Sequence, residues 1–189
     1  MAISEENIIA GCIAGDRSMQ KLLYSKYASV MLSICMRYCK SKDEAEDVLQ
    51  DGFIKVFGSI SNFRKEGSFE GWIKRIIVNT ALNNCRDNLK RNNHLCIDDI
   101  EETVRLQDIN NDSLSENELL KMIQELPEGY KMVFNLYAFE GYSHKEIGDL
   151  LGISESTSKS QLSRARMFLQ NKLKEYNNNP NLREILREI

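Results

Sequence analysis

The feature that most constrains the fold is a helical rhythm of apolar residues in the N-terminal half of the chain. After Asp16, apolar residues recur at spacings of three and four over several turns. They are Met19, Leu22, Leu23, Tyr27, Val30, Met31, Ile34 and Tyr38. No segment alternates apolar and polar residues with the period of two that a half-buried strand shows. The sequence therefore predicts an all-α protein.

Further helices with the same rhythm are expected nearby. A short one runs from Ser4 to Ile13, and a long one runs from about Ser68 to Arg91. Between them, Ser41 begins a helix with a capping-box pattern, in which Glu44 follows three residues later. Because four helices with apolar stripes can share one core, the N-terminal half is predicted to be one helical domain.

The apolar rhythm stops in the middle of the chain and then resumes. Residues 92–113 are rich in acids and Asn, which indicates a flexible acidic linker. The helical pattern returns from Ser115 and continues to about Tyr176. We therefore expect an N-terminal domain (1–91), the linker (92–113), a C-terminal domain (114–176) and a tail (177–189).

Composition is ordinary for a globular protein and supports few special classes. No apolar run approaches the roughly 20 residues that span a bilayer, and the N-terminus lacks signal-peptide features. A cytoplasmic location without membrane insertion is expected. The five cysteines lack disulfide-framework or zinc spacing, which favours buried thiols over a metal site. No catalytic set or phosphate loop occurs, so neither an enzyme nor a bound cofactor is expected.

Charge is distributed very unevenly along the chain. The formal net charge of −3 argues against a nucleic-acid partner. However, cations concentrate between Arg64 and Arg91, and residues 156–174 contain cations and no acid. Because the local field decides where a polyanion binds, these two stretches are candidate nucleic-acid surfaces.

A helix-turn-helix pattern lies in the C-terminal domain. Ser143 and Glu146 form a capping-box pattern, Gly152 suits the left-handed end of this short helix, and Ser154 caps a second helix. The second helix presents cations and small polar groups that suit the major groove of DNA. They are Lys159, Ser160, Ser163, Arg164 and Arg166. The alternative is an ordinary helical hairpin whose cationic face is only solvated.

The helix after Ser41 carries a second, polar stripe at spacings of three and four. Its members are Asp47, Gln50, Asp51 and Ile54. An exposed Ile among acids suits docking on a basic partner helix, whereas a plain acidic surface is the alternative.

The helix from Ser68 and the loop before it form a candidate surface for unpaired bases. The helix face opposite Trp72 presents Arg75, Asn79, Asn83, Arg86 and Lys90. The loop, residues 61–67, contains an aromatic residue, two cations and a glycine, and bases stack readily on aromatic rings. Phe69 and Trp72 are expected in the core, while Phe63 fits the core and base stacking equally well.

Three segments, in this order and spacing, resemble the bacterial sigma-70 family, specifically the small two-domain extracytoplasmic-function (ECF) sigma factors. They are DEAEDVLQDGFIKVF (43–57), NFRKEGSFEGWIKRIIVNTALN (62–83) and LPEGYKMVFNLYAFEGYSHKEIGDLLGISESTSKSQLSRARMFLQNKL (126–173). The resemblance implies a transcription initiation factor that binds core RNA polymerase, at its clamp helices and flap, and promoter DNA. An anti-sigma factor is a possible further partner.

The resemblance also assigns a role to each candidate surface. The residues implied to dock on the clamp helices are Asp47, Gln50, Asp51 and Ile54. Those implied to hold the melted −10 strand are Asn62, Phe63, Arg64, Lys65, Ser68, Arg75, Asn79, Asn83 and Arg86. Those implied to read the −35 duplex are Lys159, Ser160, Ser163 and Arg164, with Arg166 on the DNA backbone.

The chain departs from this family at the start of its second helix-turn-helix helix. Ser-Thr-Ser-Lys (156–159) replaces the more usual Gly-Thr-Val-Arg/Lys, so that the polar Ser158 takes a normally apolar position. Ser163, which is small, leaves one base contact open. The alternative function is a stand-alone helix-turn-helix regulator that binds a palindromic duplex as a dimer. A helical enzyme or scaffold is a third class that no site in the sequence supports.

Overall fold

The computed structural model describes residues 3–91 and 115–178, and every regular element in these ranges is helical. The elements of the first range are α1 (Glu5–Ile13), α2 (Arg17–Tyr38), α3 (Lys42–Ser59), a short 3-10 helix (Ile60–Asn62) and α4 (Phe69–Arg91). Those of the second range are α5 (Glu116–Gln124), α6 (Glu128–Ala138), α7 (His144–Leu151) and α8 (Glu155–Asn178). The all-α prediction is thus confirmed where the structure describes the chain.

The chain divides into two compact units, Met1–Asn88 and Leu89–Ile189. The predicted linker and most of the predicted tail lie outside the described residues. Helix α8 continues to Asn178, two positions beyond the predicted end of the C-terminal domain at residue 176.

Helix α2 packs against both α1 and α3 in the N-terminal unit. The predicted apolar stripe is largely buried, and Leu23 and Met31 are fully enclosed. Two members of the stripe are exposed, Leu22 and Val30. The apolar stripe in the sequence is thus wider than the face of α2 that the fold buries.

Helices α3 and α4 are held together by close packing and by Glu44. A Cβ atom built on Gly52 of α3 would lie 2.4 Å from Cδ1 of Ile77 of α4, so the two helices approach closely there. One carboxylate oxygen of Glu44 accepts hydrogen bonds from the side-chain amides of Asn84 and Asn88, each at 2.7 Å. The start of α3 therefore fixes the position of α4.

The capping box predicted at Ser41 forms only in half. The Ser41 hydroxyl accepts from the Glu44 amide at 3.2 Å, as predicted. The other carboxylate oxygen of Glu44, however, accepts from the amide of Lys40 at 2.8 Å. Because the side chain also reaches across to α4, its return bond falls one residue earlier than the reciprocal motif requires.

The C-terminal unit is built around α8. A core cluster joins Met122 and Ile123 of α5 to Ala165 and Leu169 of α8. The Tyr176 hydroxyl donates to the buried carboxylate of Glu118, which ties the last turns of α8 to the start of α5. Pro127 precedes α6 as its N-cap.

Candidate docking and nucleic-acid surfaces

The polar stripe on α3 faces solvent. Asp47, Gln50, Asp51 and Ile54 are all exposed, while Val48, Leu49 and Phe53 of the same helix are buried. Ile54 is 68% exposed, the highest value among the large apolar side chains in the described ranges. The stripe thus offers an exposed apolar side chain at one end and hydrogen-bonding groups beside it, a combination found in protein-docking surfaces.

Three aromatic rings form a cluster where the loop meets α4. The Phe69 and Trp72 rings stack with centroids 5.6 Å apart and planes 13° apart. The Phe63 ring lies 5.0 Å from Phe69 and 5.6 Å from Trp72. Phe69 is buried, as predicted, while Phe63 and Trp72 are half-buried and keep surface available.

A cavity of about 450 Å³ opens beside this cluster. Its lining consists of Asn62, Phe63, Arg64, Glu66, Gly67, Ser68, Gly71, Trp72 and Arg75. Five residues that the sequence assigned to the −10 strand therefore meet at one site: Asn62, Phe63, Arg64, Ser68 and Arg75. Aromatic surface, an amide and two guanidinium groups around one opening can stack on a base and bind its phosphates.

Lys65 does not line this cavity. Its ammonium pairs with the Glu6 carboxylate of α1 at 3.2 Å, and the residue is absent from the cavity lining. Its backbone φ is 59°, in the left-handed region that non-glycine residues rarely adopt. Both side chains of the pair are largely exposed, so the pair adds little to stability.

The outer face of α4 continues from the cavity. Arg75, Asn79 and Asn83 are exposed, and Arg86 is half-buried. One guanidinium nitrogen of Arg86 donates to the Asn83 side-chain carbonyl at 2.7 Å. These groups lie along one helix face, which suits a strand that runs along α4.

The helix-turn-helix forms as the sequence predicts. The capping box of Ser143 and Glu146 is complete, Gly152 adopts a left-handed φ of 71°, and the Ser154 hydroxyl accepts from the Thr157 amide at 3.0 Å. The carboxylate of Glu146 accepts hydrogen bonds from Ser143, which lowers its pKa. Local capping therefore fixes both helices and the turn between them.

The outward residues of α8 do not all have the same surroundings. Lys159, Ser160, Ser163 and Arg166 are exposed, and the Lys159 ammonium pairs with Glu155 at 2.7 Å. The hydrogen bond from Lys159 lowers the pKa of the Glu155 carboxyl. Arg164 is half-buried and lines a separate cavity of about 240 Å³ with Tyr130 and Phe168.

A polar contact that the sequence did not reveal lies behind the exposed face of α8. Ser158 is fully buried, and its hydroxyl lies 3.0 Å from Nδ1 of His144, at hydrogen-bonding distance. The imidazole also stacks on Tyr137, with centroids 4.8 Å apart. In the sequence, the only sign of this contact is the polar Ser158 at a normally apolar position, which calls for a buried partner.

Groups suited to other functions are few in the described ranges. No cluster of three or more His, Cys, Asp or Glu side chains there is placed to hold a metal ion. None of the helices in residues 3–91 and 115–178 has the length and apolar character to cross a membrane. Cys12 and Cys35 are buried thiols, while Cys96 lies outside the described part.

Comparison with known proteins identifies the family. Residues 23–91 match the model for Sigma-70 region 2, and residues 116–169 match that for Sigma-70, region 4. The ECF RNA polymerase sigma-E factor of Haemophilus influenzae is 31% identical over 182 residues, which cover 90% of this chain and 96% of that protein. The chain belongs to the ECF sigma factors of the sigma-70 family. It is a promoter-specific transcription initiation factor.

Other relatives agree with this assignment. The sigma-E factor of Escherichia coli (strain K12) is 30% identical, covering 90% of this sigma factor and 95% of the relative. The sigma-H factor of Pseudomonas aeruginosa is 29% identical, and the match covers 86% of this chain and 90% of that protein. The fold resembles that of the sigma factor RpoE of Bartonella quintana, which was solved in complex with the anti-sigma factor NepR. The TM-score is 0.53 and the sequence identity 22%, and the match covers 82% of this chain and 96% of that one. The resemblance to ECF sigma factors noted from the sequence is thereby confirmed.

Proposed function

We propose that this sigma factor binds core RNA polymerase and divides promoter recognition between its two units. The N-terminal unit docks on the polymerase and holds the melted −10 strand, and α8 of the C-terminal unit reads the −35 duplex. The observation that carries the proposal is the cavity of about 450 Å³ next to Phe63 and Trp72. Its size and its aromatic and cationic lining suit one extruded base with its phosphate.

Polymerase docking is assigned to the exposed stripe of α3. Most of the Ile54 side chain is exposed to water, so its burial by a partner is favourable. Asp47 and Asp51 beside it select a basic surface, as on the clamp helices of the largest polymerase subunit. The flap is the proposed contact of the C-terminal unit.

Strand opening follows from preferential binding and needs no catalytic residue in this chain. Unstacking a base costs a few kcal/mol, which stacking on an aromatic ring and phosphate contacts offset. Arg64 and Arg75, which line the cavity, supply the charge, and Asn79 and Asn83 continue the surface along α4. RNA synthesis itself is assigned to the polymerase.

Recognition of the −35 element is assigned to the first turns of α8. Lys159, Ser160 and Ser163 are exposed there, where a recognition helix meets base edges, and the exposed Arg166 is assigned to backbone phosphate. The predicted domain limits, the acidic linker, an anti-sigma partner and a cytoplasmic site of action belong to the same proposal.

The test measures strand opening by the reconstituted holoenzyme. Open complexes on a target promoter are quantified by permanganate reactivity of the −10 thymines. Arg75→Ala should lower the open fraction about tenfold, because a charge-assisted contact to the extruded strand is lost. Arg17→Ala is the matched control, since Arg17 is an exposed arginine at the start of α2 that does not line the cavity.

The Arg17→Ala variant should stay within about twofold of the wild type, since Arg17 is exposed and lies outside the proposed DNA surfaces. Normal opening by the Arg75→Ala variant, with core binding intact, would overturn the assignment of the cavity to the −10 strand.

A further inference from the structure

His144, the first residue of α7, contacts both other helices of the helix-turn-helix region. Its Nδ1 lies 3.0 Å from the Ser158 hydroxyl of α8. Its ring stacks on Tyr137, near the end of α6, with planes 22° apart. One half-buried side chain thus joins three helices, of which α8 is the one that carries the DNA-facing groups.

The contact to Ser158 matters because that hydroxyl is completely enclosed. Its residue is 0% exposed, and a buried hydroxyl without a partner is costly. Ser158 lies on the inner face of α8, directly before the exposed Lys159. The hydrogen bond therefore fixes the rotation of α8 against α7 at the point where the helix begins to present its outward residues.

The contact to Tyr137 extends the arrangement to an exposed cation. The guanidinium carbon of Arg166 lies 5.6 Å from the centre of the Tyr137 ring, within the range of a cation–π interaction. Arg166 is exposed, so its long side chain has few other restraints in the free protein. The ring that restrains it is itself held by His144.

We propose that His144 is a positioning residue for DNA recognition, which through Ser158 and Tyr137 sets the orientation of α8 and holds Arg166 ready for a backbone phosphate. The proposal rests on the proposed reading of the −35 duplex by α8. His144 touches no DNA in this scheme. It acts through the two side chains that it contacts.

The experiment measures binding of the holoenzyme to a −35 duplex over a series of salt concentrations. A phosphate contact adds about one unit to the slope of log affinity against log salt. Arg166→Ala should reduce the magnitude of this slope by about one unit. His144→Ala and Tyr137→Ala should each do the same and weaken binding about tenfold, and adding Arg166→Ala to either variant should change little more.

A further variant separates positioning from simple stability. His144→Ala combined with Ser158→Ala removes the buried hydroxyl that has lost its partner, so thermal stability should largely return. The salt slope should stay low, because Tyr137 and Arg166 remain unrestrained. Recovery of the wild-type slope together with stability would overturn the proposal, as would additive effects of His144→Ala and Arg166→Ala.

Different results would refute the −35 role of α8 and the positioning role of His144. Unchanged affinity and salt slope for Lys159→Ala and Arg166→Ala, with His144 intact, would refute the −35 role of α8 and the inference with it. If Lys159→Ala and Arg166→Ala weaken binding as expected while His144→Ala keeps the wild-type salt slope, only the positioning role is refuted.

Discussion

Arg164 differs from the other cations of the recognition helix in what surrounds it. Its side chain is half-buried along a cavity of about 240 Å³ that Tyr130, Met167 and Phe168 also line. Lys159 is exposed and pairs with Glu155 at 2.7 Å, and Ser163 is exposed as well. A half-buried arginine side chain has fewer conformations to lose than an exposed one when it bonds a base edge.

We predict that Arg164→Ala lowers discrimination for the −35 sequence by about 1–3 kcal/mol, if it reads a base edge. Holoenzyme affinity for cognate and scrambled −35 duplexes measures this directly. Lys172→Ala is the control, because Lys172 lines the same cavity but pairs with Glu125 at 2.8 Å. An unchanged −35 preference in the Arg164→Ala variant would reject the base contact.

The thiol of Cys35 provides a prediction about the N-terminal core. Cys35 is fully buried, and burial raises the pKa of its thiol to about 12. Since the thiolate is the reactive form, native protein at pH 8 should react with iodoacetamide at Cys35 only through unfolding. Peptide mass spectrometry should show labelling in guanidinium and almost none in buffer; rapid labelling in buffer would contradict the burial.

At the scale of elements, the turn between α7 and α8 depends on a close approach at Gly148. A Cβ atom at this position would lie 2.8 Å from the carbonyl oxygen of Ile153, which is backbone and has little room to move. Helix propensity alone favours Ala over Gly in a helix by about 1 kcal/mol. The clash and the propensity therefore predict opposite signs for the same substitution.

We predict that Gly148→Ala destabilises the C-terminal unit by about 1–3 kcal/mol, because overpacking against backbone exceeds the gain in propensity. Gly129→Ala, in α6 of the same unit, is the control, since its Cβ would meet only the Gln161 side chain at 3.5 Å. Chemical denaturation of both variants gives the comparison. A stabilised Gly148→Ala variant would show that the Ile153 carbonyl can move away from position 148 at little cost.

The sequence predicts the elements well because their signals are local. Apolar spacing marks the face of a helix, and caps such as Ser143 and Gly152 act within one turn. The partners of polar side chains, in contrast, cannot be predicted from local signals. Glu44 bonds Asn84 40 residues away, Lys65 pairs with Glu6 at a separation of 59, and His144 meets Ser158 14 residues on. Such contacts depend on how helices pack, which periodicity does not encode.

At the scale of the whole molecule, this sigma factor displays separate surfaces whose proposed partners differ in charge. The α3 stripe is acidic, and the cavity and α8 present cations. This separation explains how a chain with a net charge of −3 can bind DNA. It also predicts that polymerase binding and DNA binding can be lost one at a time.

We predict that Asp51→Arg weakens binding to core polymerase at least about tenfold, because it places like charge against a basic surface. The fold should be intact, since Asp51 is exposed. Glu70→Arg is the control: it makes the same charge change at an exposed position of α4, outside the stripe. Competition with a reference sigma factor for core enzyme measures both, and normal competition by Asp51→Arg would contradict the docking assignment.

The most direct test of the account is run-off transcription with purified core polymerase, this sigma factor and genomic promoter fragments. We expect transcripts from defined start sites only when core enzyme and sigma factor are both present, with output that falls when either the −10 or the −35 element is scrambled. A sigma factor that fails to associate with core enzyme at low salt, or transcripts indifferent to both elements, would contradict it.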